Sequence, residues 1–179
     1  MRLHIICVIL TASTLSACGK DSGSGSPGGE AKSPPPAPAR GAAFAGCPNF
    51  SGRYQNVSGP VDIEQKDCSA VTFAPVNGDS HGLGSTLEVG GDWKPRPNNS
   101  TWVEKSEWRG NTLVFTSRYN DEALAQSQKN GDDSIDTLQV TEFSANPDKG
   151  LHLEHRRYGI HGQEVQKKEW GTFDLKPLN

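Results

Sequence analysis

Residues 101–119 carry the clearest structural pattern of the chain, TWVEKSEWRGNTLVFTSRY. Two runs of β-prone residues flank Gly110-Asn111, a pair that favours a two-residue hairpin turn. We therefore predict a hairpin of strands 101–109 and 112–119. Its register places four cross-strand pairs on one face, because side chains alternate between the two faces of a strand. These pairs are Trp102 with Tyr119, Glu104 with Ser117, Ser106 with Phe115, and Trp108 with Leu113.

This face of the hairpin combines aromatic rings with polar groups, and two interpretations of it stay open. In the first, the face lines a ligand cavity, which needs apolar walls and a few polar groups. The lining would be Trp102, Glu104, Trp108, Phe115 and Tyr119. In the second, the four aromatic residues are packed core and Glu104 lies at the rim, because a closed core tolerates an unpaired carboxylate poorly.

The opposite face of the hairpin is expected to face water. It holds Val103, Lys105, Glu107, Val114, Thr116 and Arg118.

Further short strands are predicted on both sides of the hairpin. They are residues 50–56, 61–66, 70–74, 87–89, 134–143, 150–158 and 163–175. Turn-forming residues separate them, as at Asn130-Gly131-Asp132 and Asn146-Pro147-Asp148. A helix is predicted only at 122–129, where a further strand stays an alternative. The fold class is therefore all-β, an antiparallel meander closing into a small barrel or a sandwich. The barrel is preferred because closure removes exposed edges.

Composition and charge narrow the classes of partner. The chain has 179 residues, of which 33% are hydrophobic, and its 20 Gly and 12 Pro favour turns and loops. The net charge is −3, with both signs interspersed along the chain. Because no basic stripe stands out, nucleic acid is not an expected partner.

The N-terminus has the features of an export signal. Arg2 precedes an apolar run, residues 3–15, that is too short to span a bilayer. The run ends in Leu15-Ser16-Ala17-Cys18, which resembles the lipobox of bacterial lipoproteins. This resemblance implies that residues 1–17 are a signal peptide removed by cleavage and that the Cys18 thiol carries a diacylglycerol. The alternative is an ordinary secretory signal that contains a cysteine by chance.

The lipobox resemblance also implies a location. Gly19 follows the cysteine, where the family's sorting rule would need aspartate for retention at the inner membrane. In a Gram-negative cell we therefore expect a lipid anchor in the outer membrane, on its periplasmic or its surface side.

Residues 18–46 join the lipidated cysteine to a flexible tether. Gly, Ser, Pro and Ala dominate this segment, so it cannot bury enough apolar surface to offset its ordering entropy. We expect a disordered spacer, with a proline-rich ligand for a partner as the alternative. Residues 47–179 then form a single β-rich domain.

Cys47 and Cys68 are the only cysteines of this domain. In an exported protein such a pair predicts one disulfide bond, and two free buried thiols are the alternative.

The start of the domain carries a second, short resemblance. Phe50-Ser51-Gly52-Arg53-Tyr54 resembles the first strand of lipocalin-type barrels, where the motif is Gly-x-Trp. Tyr54 replaces the tryptophan, and the resemblance covers five residues. It implies an up-and-down barrel with an internal apolar ligand site.

No metal-binding motif is found, and the chain lacks H-E-x-x-H and the Walker loop. Gly78-Asp79-Ser80-His81-Gly82 matches the short pattern G-x-S-x-G, but no helix pattern follows it, as a nucleophile elbow requires. His152 and His155 should point to opposite faces of a strand, which makes them a poor metal pair. The polar cluster Asn130, Asp132, Asp133 and Asp136 lacks EF-hand spacing and fits an acidic hairpin tip. We therefore expect no cofactor, no metal and no enzymatic activity.

Two functions remain. The first is an envelope-anchored lipoprotein whose β-domain binds a small amphiphile or lipid. The second is a protein-binding or structural envelope lipoprotein with a filled core, such as an assembly accessory or an inhibitor.

Overall fold

The computed structural model describes residues 36–38, 41–76, 85–131, 135–146, 150–165 and 171–178. The predicted signal peptide, Cys18 and most of the tether lie outside these residues. The elements are β1 (Gly52–Asn56), β2 (Gly59–Lys66), β3 (Ala70–Pro75), β4 (Ser85–Glu88), β5 (Lys94–Arg96), β6 (Asn99–Arg109), β7 (Thr112–Tyr119), α1 (Asp121–Asn130), β8 (Leu138–Asn146), β9 (Gly150–Tyr158) and β10 (Thr172–Pro177).

The ten strands form one antiparallel sheet in the order β4-β3-β2-β1-β10-β9-β8-β7-β6-β5. Strands that follow one another along the chain pair with each other, and β1 pairs with β10. Within the described residues the exception is β4 with β5, which form no ladder. The all-β meander is thus confirmed, but the sheet is not closed.

One contact brings the two ends of the sheet together. Val89, directly after β4, forms a parallel bridge with Ser106 of β6, and the Gly90 amide donates to the Ser106 carbonyl at 2.9 Å. The sheet therefore curls on itself. We call the opening between β4 and the β5–β6 edge the seam.

The local sequence explains why the seam stays open. Pro95 lies in β5 and has no N–H to donate, so this edge is blunted in the way typical of edge strands. Gly90 and Gly91 have φ of 86° and 80°, a conformation that interrupts the strand between β4 and β5. Across the opening, Lys94 forms a salt bridge with Glu88.

The predicted hairpin is confirmed residue by residue. Trp102 pairs with Tyr119, Glu104 with Ser117, Ser106 with Phe115, and Trp108 with Leu113. Gly110 takes the left-handed conformation, φ 60°, that the tight turn requires.

Other boundaries differ from the predicted ones. β8 begins at Leu138 rather than 134, because the chain first leaves a helix and returns to the sheet through Thr137, whose amide donates to the Tyr158 carbonyl.

The helix predicted at 122–129 is observed rather than the alternative strand, and Asn120 caps α1 at its N-terminus. Gly131, predicted as part of a hairpin turn, ends the helix with φ 66°.

The last predicted strand, 163–175, is also shorter than expected. β10 begins at Thr172, and residues 166–170 lie outside the described part of the chain. β5 was not predicted, because Pro95 lies within it and Pro97 follows it.

One apolar cluster fills the curled sheet at one end. It draws residues from both halves of the strand order: Phe50, Tyr54, Val61, Ile63, Val71, Phe73, Leu87, Leu113, Phe143, Leu151, Leu153 and Leu175. Phe50 precedes β1 and inserts into this cluster. Its ring packs on Trp108, with 5.3 Å between centroids.

The outer face of the hairpin is not fully exposed to water, which corrects the expectation that this whole face is solvated. Val114 is fully buried there. Its cross-strand partners are Glu107 and Glu142, and Arg156 forms salt bridges with Glu142 and Glu154. The alkyl stems of such long charged side chains can cover an apolar neighbour.

The predicted Cys47–Cys68 disulfide is confirmed, with 5.8 Å between the Cα atoms. Gln65 reinforces the same junction. Its amide oxygen accepts from the Phe50 amide at 2.7 Å, and its amide nitrogen donates to the Pro48 carbonyl at 2.9 Å. The last residues assigned to the tether make contacts here too, since Phe44 forms an isolated bridge with Cys47.

Candidate functional site

The inner face of β6–β9 is divided into layers across the strands. The layer Trp108, Leu113, Phe143 and Leu153 is apolar and belongs to the core. Two layers further along the strands, the register aligns Glu104, Ser117, Gln139 and Arg157. We call this second layer, together with Arg96 of β5, the polar belt.

Arg96 organises one end of the polar belt. The ladder of β5 with β6 shifts register between Pro95 and Arg96, and the Arg96 side chain lies on the inner face. There its Nε donates to Glu104 and its Nη2 donates to the hydroxyl of the fully buried Ser117 at 2.8 Å. Glu104 is therefore paired, which corrects the sequence-based assumption of an unpaired carboxylate.

Arg157 organises the other end of the belt. It forms a salt bridge of 2.7 Å with Asp136, and its Nε donates to His155 Nε2 at 3.4 Å. Because Nε2 accepts, the proton of the neutral ring lies on Nδ1, which is 2.8 Å from the Thr141 hydroxyl. Burial, and then the charge of Arg157, hold the pKa of His155 below its ordinary value.

The two histidines of β9 point to opposite faces, as predicted. His155 contacts Thr141 on the inner face, whereas His152 Nδ1 lies 2.6 Å from an Asp174 oxygen on the outer face.

An aromatic pair borders the polar belt on the side away from the core. Trp102 and Tyr119 meet edge to face, with 4.8 Å between their centroids. The Arg96 guanidinium stacks 5.0 Å from the centre of the Trp102 ring. Trp102 is thus fixed by a cation–π contact and by an aromatic contact.

A cleft of about 190 Å³ opens at the seam, beside the Arg96 end of the belt. Phe115, Ser106 and Glu104 line it from the hairpin. From the opposite edge, β4 contributes Thr86, Leu87 and Glu88. Pro95 and Pro97 complete an apolar wall, and Lys94, Asp92 and Lys105 also line the cleft. The lining therefore combines apolar surface with a comparable share of charged and hydroxyl groups.

The five predicted site residues separate into three environments. Glu104 and Phe115 line the cleft, Trp108 packs against the core, and Trp102 and Tyr119 form the aromatic pair next to the belt. The prediction therefore named one continuous face but did not distinguish its parts.

Three members of the site were missed: Arg96, His155 and Arg157. Arg96 lies between two prolines, which concealed a strand. His155 and Arg157 continue the period-two series of the core residues Leu151 and Leu153 along β9. That alternation was the signal that could have placed both side chains on the inner face.

Among the described residues no group of three or more His, Cys, Asp or Glu is placed to hold a metal ion. That part of the chain also contains no helix long and apolar enough to cross a membrane.

Comparison with protein-family models, with curated proteins and with solved structures finds no match to this chain.

Proposed function

We propose that this protein is an envelope lipoprotein, anchored through a lipid on Cys18, whose β-domain binds a small amphiphilic molecule at the seam cleft. The anchor would lie in the outer membrane, and residues 1–17 would be the cleaved signal. The lipobox resemblance supports this part of the proposal, together with the tether composition.

The observation that carries the binding proposal is the contrast between the two ends of the inner face. At the Trp108 end the protein's own Phe50 and its neighbours fill the interior. At the Glu104 end, partly buried charged and hydroxyl groups adjoin an open cleft with Phe115 as its apolar surface. Partly burying ion pairs costs solvation free energy, and a polar ligand is one use that would retain them.

The size of the cleft limits what part of an amphiphile it receives. About 190 Å³ lies below the usual 300–1,000 Å³ of drug-sized pockets. The cleft therefore holds the polar head, and any aliphatic tail extends outside it.

The proposal predicts a bound molecule that depends on Glu104. The full chain is purified from its own membranes and analysed by native mass spectrometry. We expect a co-purified small molecule on the wild type and its loss from Glu104→Gln. The matched control is Glu122→Gln, the same change on the exposed face of α1, which should keep the molecule. A wild type without any bound small molecule would count against the proposal.

A second candidate is a protein-binding envelope lipoprotein. The filled core favours it, because twelve buried residues drawn from both halves of the sheet leave little room for a lipid tail. This function predicts a stoichiometric protein partner on in-cell crosslinking, together with no bound small molecule. Both candidate functions are binding functions, and neither involves a catalytic step or a cofactor.

A further inference from the structure

The seam cleft has the dimensions and lining of a site for one neutral, hydroxyl-rich ring. We propose that it binds a single sugar ring; this rests on the small-molecule function proposed above and names its ligand class. A cavity of ~150 Å³ accommodates a benzene-sized molecule. At about 190 Å³ the cleft is of ring size, and it is too small to enclose an acyl chain as well.

The cleft lining offers the two kinds of contact that a sugar ring makes, an apolar surface and hydrogen-bonding groups. A pyranose carries hydroxyl groups around its edge and C–H groups on its faces. Phe115 provides a partly buried ring for an apolar face. Glu104 provides carboxylate acceptors, and the hydroxyl of Ser106 both donates and accepts hydrogen bonds, as sugar hydroxyls do.

The charged groups of the cleft disfavour an anionic ligand. Lys94 is paired with Glu88, and Lys105 lies 3.5 Å from Glu107. Glu104 is paired with Arg96. A phosphate or a fatty-acid carboxylate would have to displace one of these carboxylates from its cation. A hydroxyl group can instead join an existing pair, because it donates to the carboxylate without adding charge.

Glu104 is also pre-organised. Arg96 holds it while donating to the fully buried Ser117 and stacking on Trp102. Arg96, itself held by Ser117 and Trp102, therefore fixes the carboxylate before any ligand arrives, which lowers the side-chain entropy lost on binding. The sugar could belong to a glycolipid head or to a free or polymeric glycan, since both present the same ring.

The test is calorimetric titration of the full chain in phosphatidylcholine nanodiscs. The probes are methyl glycosides of glucose, galactose, mannose and N-acetylglucosamine, the butyl glycoside of each, and decanoate. We expect at least one glycoside to bind and decanoate to give no heat of binding. Tighter binding of the butyl form would indicate a glycolipid head, and equal binding a free glycan.

Two variants locate the binding. Phe115→Leu should weaken glycoside binding about tenfold, the effect of 1.4 kcal/mol. Phe173→Leu makes the same change at an exposed aromatic residue of β10, outside the cleft lining, and should leave binding unchanged. Equal weakening by both variants would place the sugar elsewhere and overturn the assignment. Thermal unfolding of each variant verifies that it is folded.

The titration also separates the two proposals. Binding of decanoate alone would overturn the sugar assignment and leave the amphiphile function standing. If no probe binds, the sugar assignment is overturned. If native mass spectrometry also shows no bound molecule, the proposed small-molecule function is overturned as well.

Discussion

Phe50 packs against Trp108 with 5.3 Å between the ring centroids, so the protein fills with its own side chain the space next to the indole. The Trp108 Nε1 also donates to the Cys68 carbonyl at 3.0 Å. Trp108 therefore joins the hairpin, the segment before β1 and the disulfide at one point.

Trp108→Ala should lower the free energy of unfolding by about 3–5 kcal/mol, the cost of truncating a packed aromatic residue. Denaturant unfolding of the full chain measures it. Trp93→Ala is the control, because Trp93 is an exposed ring whose described contact is a cation–π stack with Arg118; its loss should cost about 0.5–1 kcal/mol. Similar losses from both variants would show that Trp108 lines a cavity instead.

The pairing of Glu104 with Arg96 predicts that a second substitution, at Glu104, lowers the free energy of unfolding. Glu104→Leu leaves the Arg96 charge without its partner and should cost about 1–2 kcal/mol. The loss is smaller than for a fully buried pair, because the two side chains stay 23% and 30% exposed.

A double-mutant cycle isolates this interaction. Arg96→Leu combined with Glu104→Leu should recover much of the stability lost by Glu104→Leu alone. A stabilised Glu104→Leu variant would mean that the carboxylate is not engaged by Arg96 in solution.

The sequence predicted the parts of the fold that depend on local pattern. Gly110 and the alternation around it were sufficient for the register of β6 with β7, because turn chemistry and side-chain period act within a few residues. The Cys47–Cys68 bond followed from the cysteine count.

The parts that depend on distant contacts were not predictable in this way. Nothing local indicates that Phe50 fills the space beside Trp108, or that Arg96, which lies between two prolines, reaches Glu104. For the same reason the hairpin face was identified correctly but its apolar and polar halves were not separated. The division into an apolar and a polar half depends on which distant strands pack against each half of the hairpin face.

The Cys47–Cys68 disulfide should stabilise the domain by about 3 kcal/mol, since it closes a loop with a sequence separation of 21 residues. Thermal unfolding with and without reductant measures the effect. The double variant Cys47→Ala/Cys68→Ala should match the reduced wild type and show no further response to reductant. Identical unfolding of reduced and oxidised wild type would contradict the prediction.

Cys18→Ala should move the protein out of the membrane fraction or leave it unprocessed, because the proposed lipid anchor requires the thiol at the end of the Leu15-Ser16-Ala17-Cys18 sequence. Two acyl chains suffice for stable anchoring, whereas one gives only marginal binding. Fractionation and intact-mass measurement of the exported protein test this. Cys7→Ala, inside the predicted signal peptide, is the control and should leave anchoring unchanged. Wild-type protein that is soluble and carries no lipid would refute the anchor.

His155 should make the stability of the domain depend on pH. Burial and Arg157 hold its pKa in the folded protein below the ordinary value of 6.5, while Asp136 acts in the opposite direction. Below pH 6.5 the unfolded chain therefore binds more protons than the folded one, and the free energy of unfolding falls as pH falls. The loss begins near pH 6.5 and is complete below the folded-state pKa.

The measurement is denaturant unfolding of the full chain between pH 7.5 and 5.5. The Arg157–Asp136 pair and the Thr141 hydroxyl surround the ring on the inner face, so His155→Gln should retain the hydrogen bond to Thr141 while removing the titration. Its stability should fall less steeply over this range than that of the wild type. His161→Gln, at an exposed histidine in the turn after β9, should behave like the wild type. Parallel curves for wild type and His155→Gln would show that the ring is already free to take up a proton in the folded protein.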